Sequence, residues 1–96
     1  MENQAFRRNQ SKSRFELTVD NHIAFIDYVI HKDTIMTLIH TEVPEAVGGK
    51  GVGKTIVENT LNYLKNNKYL VVPKCPFIEK YIKRNPQWQS ILSENN

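Results

Sequence analysis

The stretch GGKGVGKT, residues 48–55, is the part of the sequence whose composition most directly suggests chemistry. It satisfies the pattern G-x-x-x-x-G-K-[S/T], in which the backbone amides of a glycine-rich loop cradle phosphate groups. Glycine lets the backbone approach a ligand closely and adopt positive φ, and successive amides then form an anion-binding nest. A helix starting at Val52 adds unsatisfied N–H groups, and Lys50 and Lys54 add positive charge. The stretch therefore predicts a phosphate-binding loop. A glycine-rich connection without a ligand is the alternative.

The surroundings of this loop do not favour a nucleoside triphosphate hydrolase. In such enzymes the loop directly follows a buried strand, and its Ser or Thr holds a magnesium ion that an acidic residue helps to anchor. Here residues 44–47 separate the loop from the preceding strand, and the strand after it, YLVVP, ends without an acidic residue. The chain after Thr55 is also too short for several further strand–helix units. A hydrolase, which would depend on Lys54 and Thr55, is the less favoured alternative.

Two further groups of residues have side chains suited to acid–base or nucleophilic chemistry. Cys75 stands directly before Pro76, and proline favours the first position of a helix, so Cys75 is predicted to cap that helix. The helix dipole and the neighbouring Lys74 then favour the thiolate; an inert buried thiol is the alternative. His40 and Glu42 are two apart on a predicted strand, where either could act as a general base. Solvent exposure at a strand end is the alternative.

The remaining elements follow from hydrophobic periodicity. Three strands, residues 14–20, 23–30 and 34–43, form an antiparallel meander, so that His40 and Glu42 share a face with Met36 and Leu38. A helix follows the glycine loop, and residues 69–73 form a strand parallel to the third through a right-handed crossover. The last helix ends at Asn85-Pro86. The apolar residues predicted to face inward are Val52, Ile56, Val57, Leu61 and Leu64 in the first helix and Phe77, Tyr81 and Ile82 in the second.

Composition sets the outer limits of the interpretation. The 96 residues suffice for one domain, which we place at residues 14–92 between a disordered tail, 1–13, and a flexible terminus, 93–96. The net charge is +3, but the basic residues are scattered, which does not favour specific nucleic-acid binding. No apolar run predicts a membrane span or signal peptide, no Cys/His cluster predicts a metal site, and the lone cysteine suits the cytoplasm.

Three blocks of the sequence resemble one known family. Gly51 and Gly53 fill the glycine positions of R/Q-x-x-G-x-G/A, the acetyl-coenzyme A (acetyl-CoA) signature of the GNAT N-acetyltransferases, although Gly48 replaces its Arg or Gln. The blocks HTEVPEA at 40–46, VVPKCPF at 71–77 and RNP at 84–86 resemble the small YjdJ-type members of that superfamily. The resemblance implies a minimal α/β (α+β) GNAT fold of order β-β-β-α-β-α, with one parallel βαβ unit splayed at the cofactor site.

The resemblance also implies a function, the transfer of an acetyl group from acetyl-CoA to an amine on a protein, a peptide or a small molecule. Catalysis would involve Cys75, Glu42 and His40, with Cys75 as a proton donor, a transient acyl acceptor or part of the pocket wall. Some members use a tyrosine as general acid, but Tyr81 is predicted to pack in the core. A coenzyme A (CoA)-binding module without catalysis is the main alternative. The residues implied to bind the cofactor are Glu42, Val43, Gly48, Gly49, Lys50, Gly51, Val52, Gly53, Lys54, Cys75 and Pro76.

Overall fold

The computed structural model describes residues 5–93, which form one five-stranded sheet and two α-helices. The sheet order is β1-β2-β3-β4-β5, with the first four strands antiparallel and β5 parallel to β4. This confirms the predicted fold class, the meander and the single parallel pair. The elements are β1 Ala5–Asn9, β2 Arg14–Val19, β3 His22–His31, β4 Ile35–Glu42, α1 Val52–Asn66, β5 Leu70–Pro73 and α2 Pro76–Arg84, with 3₁₀ turns at Glu45–Val47 and Pro86–Ile91.

The prediction of a disordered tail over residues 1–13 is wrong for its described part. Ala5–Asn9 forms an edge strand that pairs with β2 in register, from Ala5 opposite Thr18 to Asn9 opposite Arg14. The order is therefore β-β-β-β-α-β-α, one strand more than predicted. Residues 1–4 of the predicted tail lie outside the described residues. The polar composition of this segment hid the strand, because what holds it is contributed by distant parts of the chain.

Arg8 is the main attachment of β1 to the helical layer. Its Nε donates to the hydroxyl of Tyr28 at 2.9 Å, and Nη1 donates to those of Tyr63 at 3.1 Å and Tyr69 at 3.2 Å. The guanidinium carbon also lies between 5.2 and 5.8 Å from each ring centroid, within cation–π range. Burial acts to lower the pKa of Arg8, but the three hydrogen bonds outweigh it and raise that pKa. One side chain thus joins β1, β3, α1 and the segment before β5.

On the opposite face of the sheet, Glu16 of β2 joins that strand to β1. Its buried carboxylate accepts from Arg14 Nε at 2.7 Å, Arg7 Nε at 3.0 Å and Asn9 Nδ2 at 3.1 Å. Burial acts to raise the pKa of Glu16, but these donors stabilise the charged form and bring the pKa below its ordinary value. The β1–β2 edge is therefore fixed by polar contacts on both of its faces.

The core lies on one side of the sheet, under both helices. Alternate strand residues such as Phe15, Ile26 and Leu38 are fully buried there. The predicted inward face of α1 is confirmed, since all five of its apolar positions are buried. In α2 the buried residues are Ile78 and Ile82; the prediction that Phe77 faces inward is wrong, because Phe77 is 47% exposed. The other side of the sheet has no helix among the described residues, and we call it the open face.

The end of the domain differs slightly from prediction. Asn85 is the C-terminal cap of α2, as Asn85-Pro86 predicted. The prediction that the flexible terminus starts at residue 93 is wrong for that residue. Ser93 is buried and donates its backbone N–H to the carbonyl of Val71 at 2.9 Å. Residues 94–96 lie outside the described residues. Neither helix in the described part of the chain has the length and hydrophobicity that crossing a bilayer requires.

Candidate functional site

A β-bulge in β4 decides which way the candidate acid–base residues face. Asp27 pairs with His40 while the next residue, Tyr28, pairs with Leu38, so Ile39 is an extra residue in β4. Side chains opposite each other in a sheet point to the same face. Leu38 therefore faces the core with Tyr28, whereas His40 faces the open side with Asp27.

This shift corrects the prediction that His40 and Glu42 share a face with Met36 and Leu38. Strict alternation would have placed them together, but one inserted residue reverses the order beyond it. Thr41, opposite the buried Ile26, turns towards the helical side instead. His40 and Glu42 lie on the open face.

His40 and Glu42 form a close polar pair. His40 Nε2 lies 2.9 Å from Glu42 Oε1, and both side chains are a little more than half exposed, 54% and 55%. The ring of Phe25, on the neighbouring strand, packs edge-on against the imidazole at 6.4 Å between ring centroids. An imidazole–carboxylate pair that solvent reaches can accept a proton from an incoming amine.

Backbone pairing between β4 and β5 stops halfway along β4. The parallel ladder runs from Ile35 opposite Leu70 to Leu38 opposite Pro73, and the Leu38 carbonyl accepts from the amides of Lys74 and Cys75. Beyond that point no backbone hydrogen bond joins β4 to the β5–α2 segment within residues 5–93. The two segments part where the resemblance predicted a splayed pair of strands.

Cys75 lies across this gap from Thr41. As predicted, it is the N-cap of α2 with Pro76 at the first helical position, and its carbonyl accepts from the amides of Ile78 and Glu79. Cys75 is 5% exposed, and its Sγ lies 3.4 Å from Thr41 Oγ1. Cys75 is thus on the helical side of the gap, whereas His40 and Glu42 are on the open side. The three predicted catalytic residues flank the gap and do not form one cluster.

The glycine loop connects the end of β4 to α1. A 3₁₀ turn at Glu45–Val47 leads into it, and Gly49 and Gly51 take left-handed conformations with φ of 79° and 74°. Gly51 is the N-cap of α1 and offers no side chain to the helix amides. Gly53 lies within the first turn, where a Cβ atom would stand 3.0 Å from the ring of Phe77. Glycine is needed at 49 and 51 for conformation and at 53 for close packing.

The backbone N–H groups from Gly51 to Lys54 donate to no acceptor within residues 5–93. The first intrahelical donor is Thr55, whose N–H reaches the carbonyl of Gly51 at 3.0 Å. Side-chain capping normally satisfies such groups, and here neither a cap nor an acidic residue occupies the first turn. Consecutive free amides at a helix N-terminus are suited to binding a phosphate or pyrophosphate.

The charged residues of the loop are arranged differently from those of a nucleotide hydrolase. Lys50 pairs with Asp20, in the turn between β2 and β3, with Nζ 3.3 Å from Oδ2. The Thr55 hydroxyl donates to the Gly51 carbonyl at 2.9 Å, so its hydrogen is used within the helix. Lys54 is exposed at the mouth of a cleft between α1 and α2. Lys50 and the Thr55 hydroxyl are thus engaged within the protein, and Lys54 is the exposed cation of the loop.

Sequence reasoning missed two residues at this site. Thr41 was not singled out, because the bulge that turns it towards Cys75 leaves no mark in the residue pattern. Phe77 was assigned to the core from its hydrophobicity alone. Its position three residues before Lys80 and seven before Arg84, on one side of a helix, could have indicated a mixed aromatic and basic face.

Comparisons with known proteins bear on the family and the fold. A sequence model of the family described as GCN5-related N-acetyl-transferase matches residues 14–91. The protein NATD1 of Homo sapiens is 32% identical over 80 residues, covering 83% of this chain and 69% of its own. NATD1 of Gallus gallus is 31% identical, covering 83% of this chain and 71% of its own.

Solved structures show the same fold. The solution structure of a GCN5-like protein from Staphylococcus aureus superimposes with a TM-score of 0.72 at 22% identity, covering 97% of this chain and 91% of that one. The crystal structure of Ard1 from Thermoplasma volcanium gives a TM-score of 0.55 at 22% identity, covering 69% of this chain and 46% of the other. At these identities the likeness is one of fold.

Proposed function

Because the chain belongs to the GCN5-related N-acetyltransferase family, we propose that it binds acetyl-CoA and transfers the acetyl group to an amine. The observation that carries this proposal is the run of unpaired amides from Gly51 to Lys54, which suits the pyrophosphate of CoA. The left-handed conformations of Gly49 and Gly51 keep side chains away from that position. The lone Cys75 is compatible with a reducing compartment such as the cytoplasm.

The gap beyond Leu38 supports the rest of the cofactor assignment. Residues 39–43 and the Cys75-Pro76 turn stand on its two sides without backbone bonds between them. Strand backbone that lacks a neighbour binds an extended ligand through its N–H and C=O groups. The pantetheine arm of CoA carries two amides, so Glu42 and Val43 would bind it here, with Cys75 and Pro76 forming the opposite wall.

Two residues beside the gap, Glu42 and Cys75, would each carry out one of the two proton transfers. Acetyl-CoA, when bound, supplies an acetyl group activated as a thioester. On the open face Glu42, held by His40 at 2.9 Å, takes the proton that the attacking amine loses. On the helical side Cys75 gives a proton to the sulfur as the carbon–sulfur bond breaks, and then regains one from solvent. The amine nitrogen forms the new bond to the acetyl carbon.

The open face leaves His40 and Glu42 accessible to acceptors of different kinds. No helix covers the sheet beside His40 and Glu42 within the described residues, and the turn between β2 and β3 is short. An exposed lysine, a protein N-terminus or a polyamine would all reach the pair from this side. The proposal therefore specifies an amine and leaves its carrier open.

A two-part experiment tests the proposal. The ¹⁵N-labelled protein would be titrated with acetyl-CoA and, separately, with ATP and magnesium. We expect acetyl-CoA to shift the amides of residues 39–43 and 51–54. Shifts of Lys54 and Thr55 with ATP and magnesium, and none with acetyl-CoA, would overturn the proposal in favour of a nucleotide hydrolase.

The second part measures transfer by mass spectrometry, with a lysine peptide and spermidine as acceptors. We expect an acetylated amine, and we expect Glu42→Gln to lower kcat about 100-fold, because general bases typically contribute that much. Glu45→Gln, an exposed glutamate in the 3₁₀ turn, is the matched control and should change kcat less than about twofold. Binding without acetylation of either acceptor would contradict transfer and leave a CoA-binding module.

A further inference from the structure

A basic cleft lies between the N-terminal turn of α1 and the outer side of α2. Its volume is about 380 Å³, and it is lined by Lys54, Phe77, Lys80, Tyr81, Arg84 and Asn85. Lys54, Lys80 and Arg84 form no ion pair within residues 5–93, whereas the loop lysine Lys50 does. The nearby carboxylate of Glu58 acts on Tyr81, whose pKa is raised by burial and then by that charge. The cleft therefore carries three unpaired cations beside one acidic group.

This cleft is continuous with the glycine loop. Lys54 belongs both to the run of free amides and to the cleft wall. Phe77 of α2 also belongs to both the loop and the cleft. Its ring lies against Gly53, and about half of the residue stays exposed in the cleft. A ligand with its pyrophosphate on the loop amides would therefore extend directly into the cleft.

Lys80 and Arg84 are placed to act together. They are four residues apart on α2, so their side chains leave the same face of the helix. Asn85 Nδ2 donates to the Tyr81 carbonyl at 2.8 Å and closes the helix beneath them. An arginine and a lysine side by side suit a phosphate monoester, which accepts paired hydrogen bonds and carries nearly two negative charges at neutral pH.

CoA has such a group in addition to its pyrophosphate. It carries a phosphate on the ribose 3′ position, next to an adenine ring. The loop amides account for the pyrophosphate only, and Lys50 is already paired with Asp20. The remaining phosphate therefore needs cations elsewhere, and the exposed ring of Phe77 offers a surface on which adenine can stack.

We propose that Lys80 and Arg84 bind the ribose 3′-phosphate of CoA, with Phe77 against the adenine, so that the protein discriminates CoA from 3′-dephospho-CoA. This inference rests on the proposed function, because it assumes that the loop holds the pyrophosphate of the same ligand. It assigns specificity within the cofactor to α2, an element outside the glycine motif.

A double-mutant comparison tests it. Dissociation constants for CoA and 3′-dephospho-CoA would be measured by calorimetry on the wild type, on Lys80→Ala/Arg84→Ala and on Lys83→Ala. We expect the wild type to bind CoA at least about tenfold more tightly than 3′-dephospho-CoA. The double variant should lose that preference while keeping its affinity for 3′-dephospho-CoA. Lys83, exposed beside Arg84 but outside the cleft, is the matched control and should leave both affinities unchanged.

The outcomes separate this inference from the proposed function. Equal binding of the two ligands by the wild type would overturn the inference and leave acetyl-CoA binding standing. An equal loss of both ligands in the double variant would also overturn it, since the cations would then act without regard to the 3′-phosphate. Absence of binding to either ligand by the folded wild type would reject the proposed function itself. Amide spectra of each variant establish that it is folded.

Discussion

At the β1–β2 edge of the sheet polar groups are paired with one another, whereas at the β4 end and the loop after it backbone N–H groups have no acceptor within residues 5–93. Arg8 donates to three tyrosines, and Glu16 accepts from three donors. At the other end β4 leaves its neighbour after Leu38, and the amides from Gly51 to Lys54 are free.

The difference separates stability from binding. A buried polar group contributes to stability when its partners are complete, and costs free energy when they are not. The β1–β2 edge has its partners within the chain, so changes there should mainly affect unfolding. Under the proposed function the gap and the loop have theirs in a ligand, so changes there should mainly affect binding. The following predictions, from the largest expected effect to the smallest, test that separation.

Arg8→Met should lower the free energy of unfolding by about 3 kcal/mol, because three tyrosine hydroxyls lose their donor and β1 loses its attachment. Acetyl-CoA affinity should change less than about twofold, because distant sites that share no partners act nearly independently of each other. Urea unfolding and calorimetry measure the two quantities. Arg7→Met is the control: Arg7 is 68% exposed and should cost less than about 1 kcal/mol. Equal effects of the two substitutions would contradict the role given to Arg8.

Gly51→Val should weaken acetyl-CoA binding about 100-fold, or about 2.7 kcal/mol. Its φ of 74° is strained for a β-branched residue, so the amides after it would lose their common direction. Calorimetry with acetyl-CoA measures the change. Gly48→Ala is the matched control, because Gly48 has an ordinary φ of −66° and should stay within about threefold. A Gly51→Val variant that is folded and binds normally would remove the loop from the site.

Glu16→Gln should lower the free energy of unfolding by about 1.5 kcal/mol at pH 7 and by progressively less in acid. The pKa of Glu16 is lowered in the folded state, so its charge contributes fully above its ordinary value of 4.5 and stops contributing as the pH falls through the lowered value. Urea unfolding of both proteins from pH 7 downward measures the difference. A difference that does not change with pH would show that the lost contacts, not the charge, are responsible.

Cys75→Ala should lower kcat about fivefold, or about 1 kcal/mol, and leave acetyl-CoA affinity unchanged. A thiolate leaving group needs little help from a proton donor, so the effect should be smaller than that of Glu42→Gln. Thr41→Val, which removes the hydroxyl beside Sγ, should have no larger effect. A loss beyond about 100-fold, with an acetyl group found on Cys75 of the wild type, would indicate an acyl-cysteine route instead.

Sequence reasoning succeeded where the determinants are local. The glycine loop, the start of α1 and the Cys75-Pro76 cap each follow from neighbouring residue types. It failed at β1, because the partners of Arg8 lie 20, 55 and 61 residues away. It also failed in β4, where the face of each residue depends on a bulge that pairing with β3 defines.

The bulge at Ile39 changes the face of the sheet on which the even-numbered residues of β4 lie. Residues with even numbers face the core before it, at Met36 and Leu38, and face away from it after it, at His40 and Glu42. Deleting Ile39 would remove the bulge but keep both faces, because His40 would then follow Leu38 directly and stay opposite Asp27, with Thr41 opposite Ile26. A related chain without the extra residue would have the same side chains on each side of the sheet with its numbering shifted by one, so an alignment must place a one-residue gap here before it compares acid–base residues.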